Sequence, residues 1–213
     1  MTSSLTARIT RLAVVAVAAL GLAACGINSV PTKEEAAKAQ WGQVENAYQR
    51  RADLIPNLVE TVKGSVGAEN QILTNVTEAR ARATSINITT DDLSNPEEFK
   101  KFSDAQNQLT QAMGQLRTIV EAYPELKSQQ GFPELMDAIE GAENRIQTER
   151  QRYNERAQEY NTEIRTFPSI MAAKIVYGAK PMEYFKADEG AKEAPKVDFG
   201  GMAGAPSSAA PAK

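Results

Sequence analysis

The chain contains no histidine and a single cysteine, Cys25. Histidine is the one side chain whose ordinary pKa suits proton transfer near neutrality. Its absence excludes Ser-His-Asp and Cys-His catalysis, HExxH zinc sites and the Glu-x-x-His ligands of di-iron bundles. One cysteine allows no internal disulfide and no thiolate cluster for zinc or iron–sulfur. Aromatic residues make up only 6% of the chain, with one Trp, too few for a platform on which nucleic-acid bases stack. The 24 basic residues are outnumbered by 27 acidic ones, so there is no surplus of Lys and Arg for phosphate contacts. No loop spaces acids as a calcium loop does. We therefore expect no metal and no cofactor, and neither nucleic acid nor a small-molecule substrate as partner. The 213 residues, 42% hydrophobic, suffice for one core-bearing domain or two small ones.

What the chain does have begins at its N-terminus. Arg8 and Arg11 precede residues 12–24, an unbroken run of 13 small and apolar residues. That is short of the about 20 needed to span a bilayer, and it reads as the h-region of an export signal. The run ends in Leu22-Ala23-Ala24-Cys25, which resembles the bacterial lipobox, where cleavage before a Cys is accompanied by lipidation of its sulfur. Residues 1–24 then form a removed lipoprotein signal peptide, Cys25 is the lipid attachment point, and 25–31 form the linker to the folded part. Acyl chains contribute about 0.8 kcal/mol per buried CH₂, so several of them hold a protein to a membrane durably. Cleavage removes two Arg and no acid, leaving 22 basic against 27 acidic residues, a net of −5 over 189 residues. The mature domain is thus not held to anionic lipid by its overall charge. Gly26 stands where an Asp retains many lipoproteins at the inner membrane, which points to the periplasmic face of the outer membrane if the source has two.

From about Thr32 to Pro168 the pattern is helical, with no strand-like alternation. Thr32 and Glu35 form a capping box, predicting a first helix that starts there. Its apolar stripe is Trp41, Val44, Tyr48, Ile55, Leu58, Val62, Val66, Leu73 and Val76, with Pro56 inside it. A mid-helix proline costs about 3 kcal/mol and takes the donor from the carbonyl four residues earlier, here Ala52, predicting a kink near 52–56 or a break into two helices. Asn95 reads as an N-cap with Pro96 at the first position of a second helix, whose stripe is Phe99, Phe102, Leu109, Ala112, Leu116, Val120 and Tyr123 and which stops before Pro124. A third helix, from about Pro133 to Phe167, carries Leu135, Ile139, Ala142, Ile146, Glu149, Tyr153, Ala157, Tyr160 and Ile164. These are eight steps over 29 residues, close to the 3.6-residue period of a straight helix. A short apolar segment, SIMAAKIVYG, reads as one last packing helix, and 181–185 as a docking segment. From Gly190 on, 16 of 24 positions are Gly, Ala, Pro or Ser, and the tail, 187–213, is expected to be disordered. The fold class is all-α: an elongated antiparallel up-and-down helical bundle over 32–186, three long helices plus a short C-terminal one.

The strings WGQVENAYQRRADLIPNLVETVKG (41–64), VTEARA (76–81), VEAYPELK (120–127), FPELMDAIEGAENRIQTERQRYN (132–154) and YNTEIRTFPS (160–169) closely resemble the LemA family, and the likeness covers nearly all of 36–185. The resemblance implies an antiparallel helical bundle attached to the bacterial envelope, with no established enzymatic activity. Many members keep an N-terminal transmembrane helix where this chain has a lipobox.

Polar residues that break the helical pattern are the remaining candidates. Arg50, Arg51, Asp53 and Asn57 flank the Pro56 kink, and Glu121, Glu143, Asn144 and Arg145 lie where they can complete a network across the bundle. Two readings are open: a polar pocket at a kink that receives a ligand or partner motif, or an internal ion-pair and amide network that sets helix register. Tyr153-Asn154 and Tyr160-Asn161, seven apart, place each residue type on one helical face, the Tyr in the core stripe and the Asn as interhelical hydrogen-bonding groups, or as a recognition surface. Paired carboxylates are the one catalytic option left, and Glu140 and Glu143 share a face, but acids are abundant on every helix and a slim rod offers little concavity to hold a sugar chain. The sequence thus predicts a non-enzymatic, lipid-anchored envelope protein acting as an interaction scaffold or adaptor for an unknown envelope partner. A regulatory subunit of a membrane protease or signalling complex, and a peptidoglycan-binding or glycan-cleaving protein, are the alternatives.

Overall fold

Apolar residues recurring every three or four positions give each helix one stripe to bury, and in an antiparallel bundle those stripes face a common axis. The computed structural model describes residues 2–66, 71–129 and 131–186, with side chains placed except at 2–26, 65, 66, 117–122, 124 and 127. Its helices are α1 (Thr2–Val66), α2 (Gln71–Ser85), α3 (Pro96–Ala122), α4 (Phe132–Glu163) and the short α5 (Ser169–Ala172), which continues into a π turn over Ala173–Tyr177. No strand occurs among the described residues. The all-α bundle is as the sequence predicts, and the expected tail, 187–213, lies outside the described residues.

Cross-helix pairs fix the directions. Lys33 meets Glu159 and Arg51 meets Glu143, so α1 and α4 run antiparallel. Trp41 meets Phe99 and Tyr48 meets Phe102, so α3 runs with α1. Arg80 reaches the backbone of Ala52, and Leu73 shares a cluster with Val62, so α2 folds back along α1. The long helices are α1, α3 and α4, and Leu73 and Val76, which the sequence places on the stripe of a first helix kinked or broken near Pro56, lie on α2, a separate return arm.

The proline and capping expectations resolve differently. Helix α1 is unbroken through both Pro31 and Pro56. At Pro56 the carbonyl of Ala52, left without its helical donor, accepts the Arg80 Nε–H at 2.7 Å. A side chain from α2 thus supplies the hydrogen bond that proline removes, which is why no break occurs there. The capping-box reading of Thr32 is corrected: Thr32 lies inside α1, where its hydroxyl donates to the carbonyl of Asn28 one turn back. Val30 is already fully buried in the core, so packing begins upstream of Thr32. At α3 the expectation holds, since the Asn95 side chain accepts from the N–H of Glu97, with Pro96 leading the helix.

The core has two parts. Toward the N-terminal end of α1 it is aromatic, built from Trp41, Tyr48, Phe99, Phe102, Tyr153, Tyr160 and Phe185. Toward the far end it is aliphatic, with Ile55, Leu58, Val62, Leu73, Val76, Leu109, Leu116 and Ile139 around Phe132. In α4 every stripe position from Ile139 to Ile164 is buried, Glu149 included, so the reading of its period holds. Helix α2 accompanies only the aliphatic half. In the aromatic half its place is taken by the connection around Ile88 and Leu93 and by an extended C-terminal strap at 179–186 that inserts Met182 and Phe185.

Candidate functional site

Between the two core halves lies a polar layer centred on Arg51, which is 1% exposed. Along α1 the stripe steps from Tyr48 to Ile55, and Arg51 occupies the core position between them. Its Nη1 donates to Glu143 Oε1 at 2.8 Å and to Thr110 Oγ1 at 2.7 Å, and its Nη2 donates to Gln106 Oε1 at 2.6 Å. The amide of Gln106 then donates to the carbonyl of Ala83 at 3.2 Å. One guanidinium therefore joins α1 to α3 and α4 directly and to α2 through Gln106. It also lies 5.3 Å from the Tyr48 ring centroid, within cation–π range.

The structure divides the other candidates. Arg51 and Glu143 come together, whereas Arg50, Asp53 and Arg145 face outward, lining with Gln43, Asn46 and Gly141 an open groove of about 800 Å³ between α1 and α4. Asp53 accepts from Gln49 at 2.7 Å along the surface of α1. Asn57 and Asn144 are exposed, and their backbone carbonyls accept from Thr61 and Thr148 within their own helices. The Glu121 side chain lies outside the described part. Sequence reasoning missed Gln106 and Thr110. Gln106 had a signal: it stands at the step between Phe102 and Leu109, a polar residue at a core register position. Glu149, unlike the quarter-exposed Glu143, is a buried acid, accepting from Gln40 at 2.7 Å and from Arg152 at 3.2 Å.

The Tyr-Asn repeat has a purpose different from the interhelical one expected. The Asn161 side chain donates to the carbonyl of Met182 and accepts its N–H, both at 2.8 Å. Asn154 does the same with Phe185, both bonds at 2.9 Å. Seven residues of helix rise about 10.5 Å, and three residues of extended chain span about 10 Å, so the two asparagines match anchor points three residues apart on the strap. The Tyr153 hydroxyl donates to the carbonyl of Glu183, whose N–H donates to the carbonyl of Leu93. Burial, with the Glu183 carboxylate nearby, pushes the Tyr153 phenol well up and keeps it a donor. Burial likewise pushes Tyr160 up to about 12. Phe185 stacks against Trp41 with centroids 5.8 Å apart and receives Arg150 over its ring at 4.5 Å.

At the end of the bundle nearest Cys25, Glu163 accepts from the hydroxyls of Ser169 and Ser29, tying α4 to α5 and α1. Those hydrogen bonds, the Ser169 one foremost, hold its carboxyl below the ordinary 4.5. Lys33 and Glu159 pair beside them at 2.8 Å, with both side chains partly exposed. The backbone of Cys25 lies in α1 four residues before Ser29, and its side chain is outside the described part. Among the described residues no three acids or thiols gather as a metal site, and no helix is long and apolar enough to cross a membrane.

A buried cation joins the helices at mid-length, two amides hold an extended strap, and the carboxylates are distributed along helix faces. Of the proposed glycan-cleaving pair, Glu143 points inward to Arg51 while Glu140 is exposed, so the two do not converge on a cleft. These features define an all-α helical bundle held by a buried polar layer and a hydrogen-bonded C-terminal strap. The LemA family model matches residues 40–199, and the chain belongs to the LemA family. It is 28% identical over 175 residues to magnetosome protein MamQ 2 of Paramagnetospirillum magneticum and 27% identical over 174 residues to magnetosome protein MamQ of Magnetospirillum gryphiswaldense. The matches cover 75% and 74% of this chain, and in each case 64% of the relative's length.

Proposed function

We propose that this protein is a non-enzymatic, lipid-anchored component of the bacterial cell envelope that works as an interaction scaffold or adaptor. The observation that carries the proposal is the lipobox at Leu22-Ala23-Ala24-Cys25 within α1, one helical turn before Ser29 joins the bundle. A lipid on Cys25 sets the base of the bundle at the membrane, and α4, 32 residues long, carries its far end about 48 Å away. Arg51, Gln106, Thr110 and Glu143 bond one another inside the bundle, and the groove at Arg50, Asp53 and Arg145 is a polar concavity facing outward at mid-length. If the source has two membranes, Gly26 favours the periplasmic face of the outer one.

Metabolic labelling with a fatty acid tests the anchor. The parent is expected to carry label and Cys25→Ala none; a cleaved, membrane-retained Cys25→Ala product from a parent that itself takes no label refutes the lipobox. For the scaffold role, a photo-crosslinking residue at Arg50 or Arg145 is expected to capture structural envelope proteins in whole cells. Reproducible capture of one protease or kinase makes the protein a regulatory subunit instead, and retention on purified sacculi makes it a peptidoglycan binder.

A further inference from the structure

The base of the bundle carries an apolar surface that the bundle itself leaves uncovered. Phe167, Met171 and Ile175, four residues apart, are 83%, 55% and 74% exposed, and Val176 beside them is 62% exposed. The opposite side of the same turn, Ser169, Ala172 and Ala173, is buried. The segment therefore has a packed small-residue face and an exposed face of large apolar side chains, the arrangement of an interfacial helix. Residues 164–182 hold Arg165, Lys174 and Lys180 and no Asp or Glu, a local charge of +3 in a chain whose total is −3. All three basic side chains are exposed. Ser169 sits with its hydroxyl 3.4 Å from that of Ser29, and Ser29 follows Cys25 by one turn of α1, about 6 Å along the helix.

We infer that Phe167, Met171, Ile175 and Val176 insert into the surface of an anionic lipid bilayer, with Arg165, Lys174 and Lys180 against its headgroups, so that the base of the bundle is seated on the membrane. The occupant is a membrane because large apolar side chains beside clustered cations match the acyl boundary and the anionic headgroups of such a surface, and because this patch stands at the end of the molecule where the chain emerges from Cys25. A lipid anchor alone leaves a domain free to tilt. A second contact, offset from α1 across α5, fixes its orientation and the direction in which the groove faces. The inference rests on the anchored reading for its geometry, though the patch has its own chemistry.

The test uses the full chain reconstituted in phosphatidylcholine and phosphatidylglycerol vesicles with brominated acyl chains. Trp41, buried at 1% exposure in the core, serves as the unquenched reference. The Phe167→Trp variant is expected to lose at least half of its added emission to the brominated chains, and less when phosphatidylglycerol is omitted. The Glu134→Trp variant, altered at the far end of α4, is expected to lose none. Fatty-acid labelling of the same preparation separates the two claims. An unlabelled Phe167→Trp chain that is quenched keeps the patch and loses the anchor, and a labelled one that is quenched no more than the Glu134→Trp control loses the patch. Circular dichroism of each variant confirms the bundle. Photo-crosslinking at Ile175 that captures only a second copy or another protein, and no lipid, also overturns the inference.

Discussion

Substituting Arg51 by Met removes the charge and the hydrogen bonds to Thr110, Glu143 and Gln106 while keeping most of the aliphatic volume. The partners are left unequal. Glu143 keeps a quarter of its side chain in solvent and rehydrates, whereas Gln106 is 6% exposed and its Oε1 loses the donor it had at 2.6 Å. Breaking a buried ion pair costs about 3 to 5 kcal/mol. The partial exposure of Glu143 sets the expectation at the lower end, about 3 kcal/mol. A variant in which Arg51→Met, Gln106→Leu and Glu143→Met are combined joins the aromatic and aliphatic halves through a continuous apolar layer, and replacement of a buried charge cluster by well-packed apolar groups is often neutral. The triple variant is expected to return to within about 1 kcal/mol of the parent. Urea unfolding followed at 222 nm measures both. An Arg51→Met midpoint indistinguishable from the parent, or a triple variant no more stable than the single, would refute the view of this layer as a mutually dependent internal network. Crosslinking from Arg50 is expected to survive in the triple variant, because Arg50 faces the groove.

Three further outcomes follow from the same geometry. Asn161→Ala leaves the N–H and carbonyl of Met182 without partners, at about 1 to 3 kcal/mol for a buried group, and the Met182 and Phe185 amides are expected to exchange with deuterium at least tenfold faster while α3 amides are spared. Arg80→Met is expected to cost about 1 to 2 kcal/mol in the parent, through the orphaned Ala52 carbonyl, and close to nothing in a Pro56→Ala background, where the restored N–H satisfies that carbonyl; equal costs in both backgrounds would sink this account. The Glu163 carboxyl is held below 4.5 by Ser169 and Ser29, so its contribution is present above that value and lost as pH falls through the folded one. The melting temperature of Glu163→Gln is therefore expected to be lower than the parent's at pH 6 and to approach it toward pH 3.

Helix type and the buried stripes were legible because period and burial are the same fact seen twice. The α4 stripe from Ile139 to Ile164 needed no knowledge of its partners. Legibility failed where a group is satisfied by something far away in sequence. Thr32 has the local signature of a cap, but Ser29 bonds Glu163 of α4 and Ser169 of α5 and Val30 is buried in the aromatic cluster, so the packed helix reaches back past Pro31. Pro56 has the local signature of a break, but Arg80, 24 residues on, supplies the missing donor. Asn154 and Asn161 were visible as a repeat, yet nothing in their spacing of seven says that the partner is an extended strap and not a helix. Arg50 and Arg51 are adjacent and chemically alike. Which of them enters the core is decided by the register of the stripe, where a polar residue at a core step is the signal that separates a buried network from an exposed groove.

The two polar devices act on different freedoms of the bundle. Antiparallel helices with apolar stripes can slide past each other by a full turn at modest loss of burial, since one apolar contact replaces another. Arg51 forbids that slide, because any other register strands a charge against apolar side chains. It does so only where α1, α3 and α4 meet at mid-length. Nearer the base α2 is absent, and the fourth place in the core is filled by the connection around Leu93 and by a strap with no helical hydrogen bonds of its own. Extended backbone there needs outside partners for its N–H and carbonyl groups, and Asn154, Asn161, Tyr153 and Leu93 provide them. The strap leads from Phe185 back to Met182 and from there into the turn at Gly178, which follows Ile175 and Val176. The asparagines therefore position the exposed apolar turn relative to α4, just as Ser29 and Ser169 position it relative to α1. A loss of either clamp that left the bundle folded would still change how that turn is presented, so Asn154 and Asn161 bear on the proposed membrane contact without touching it.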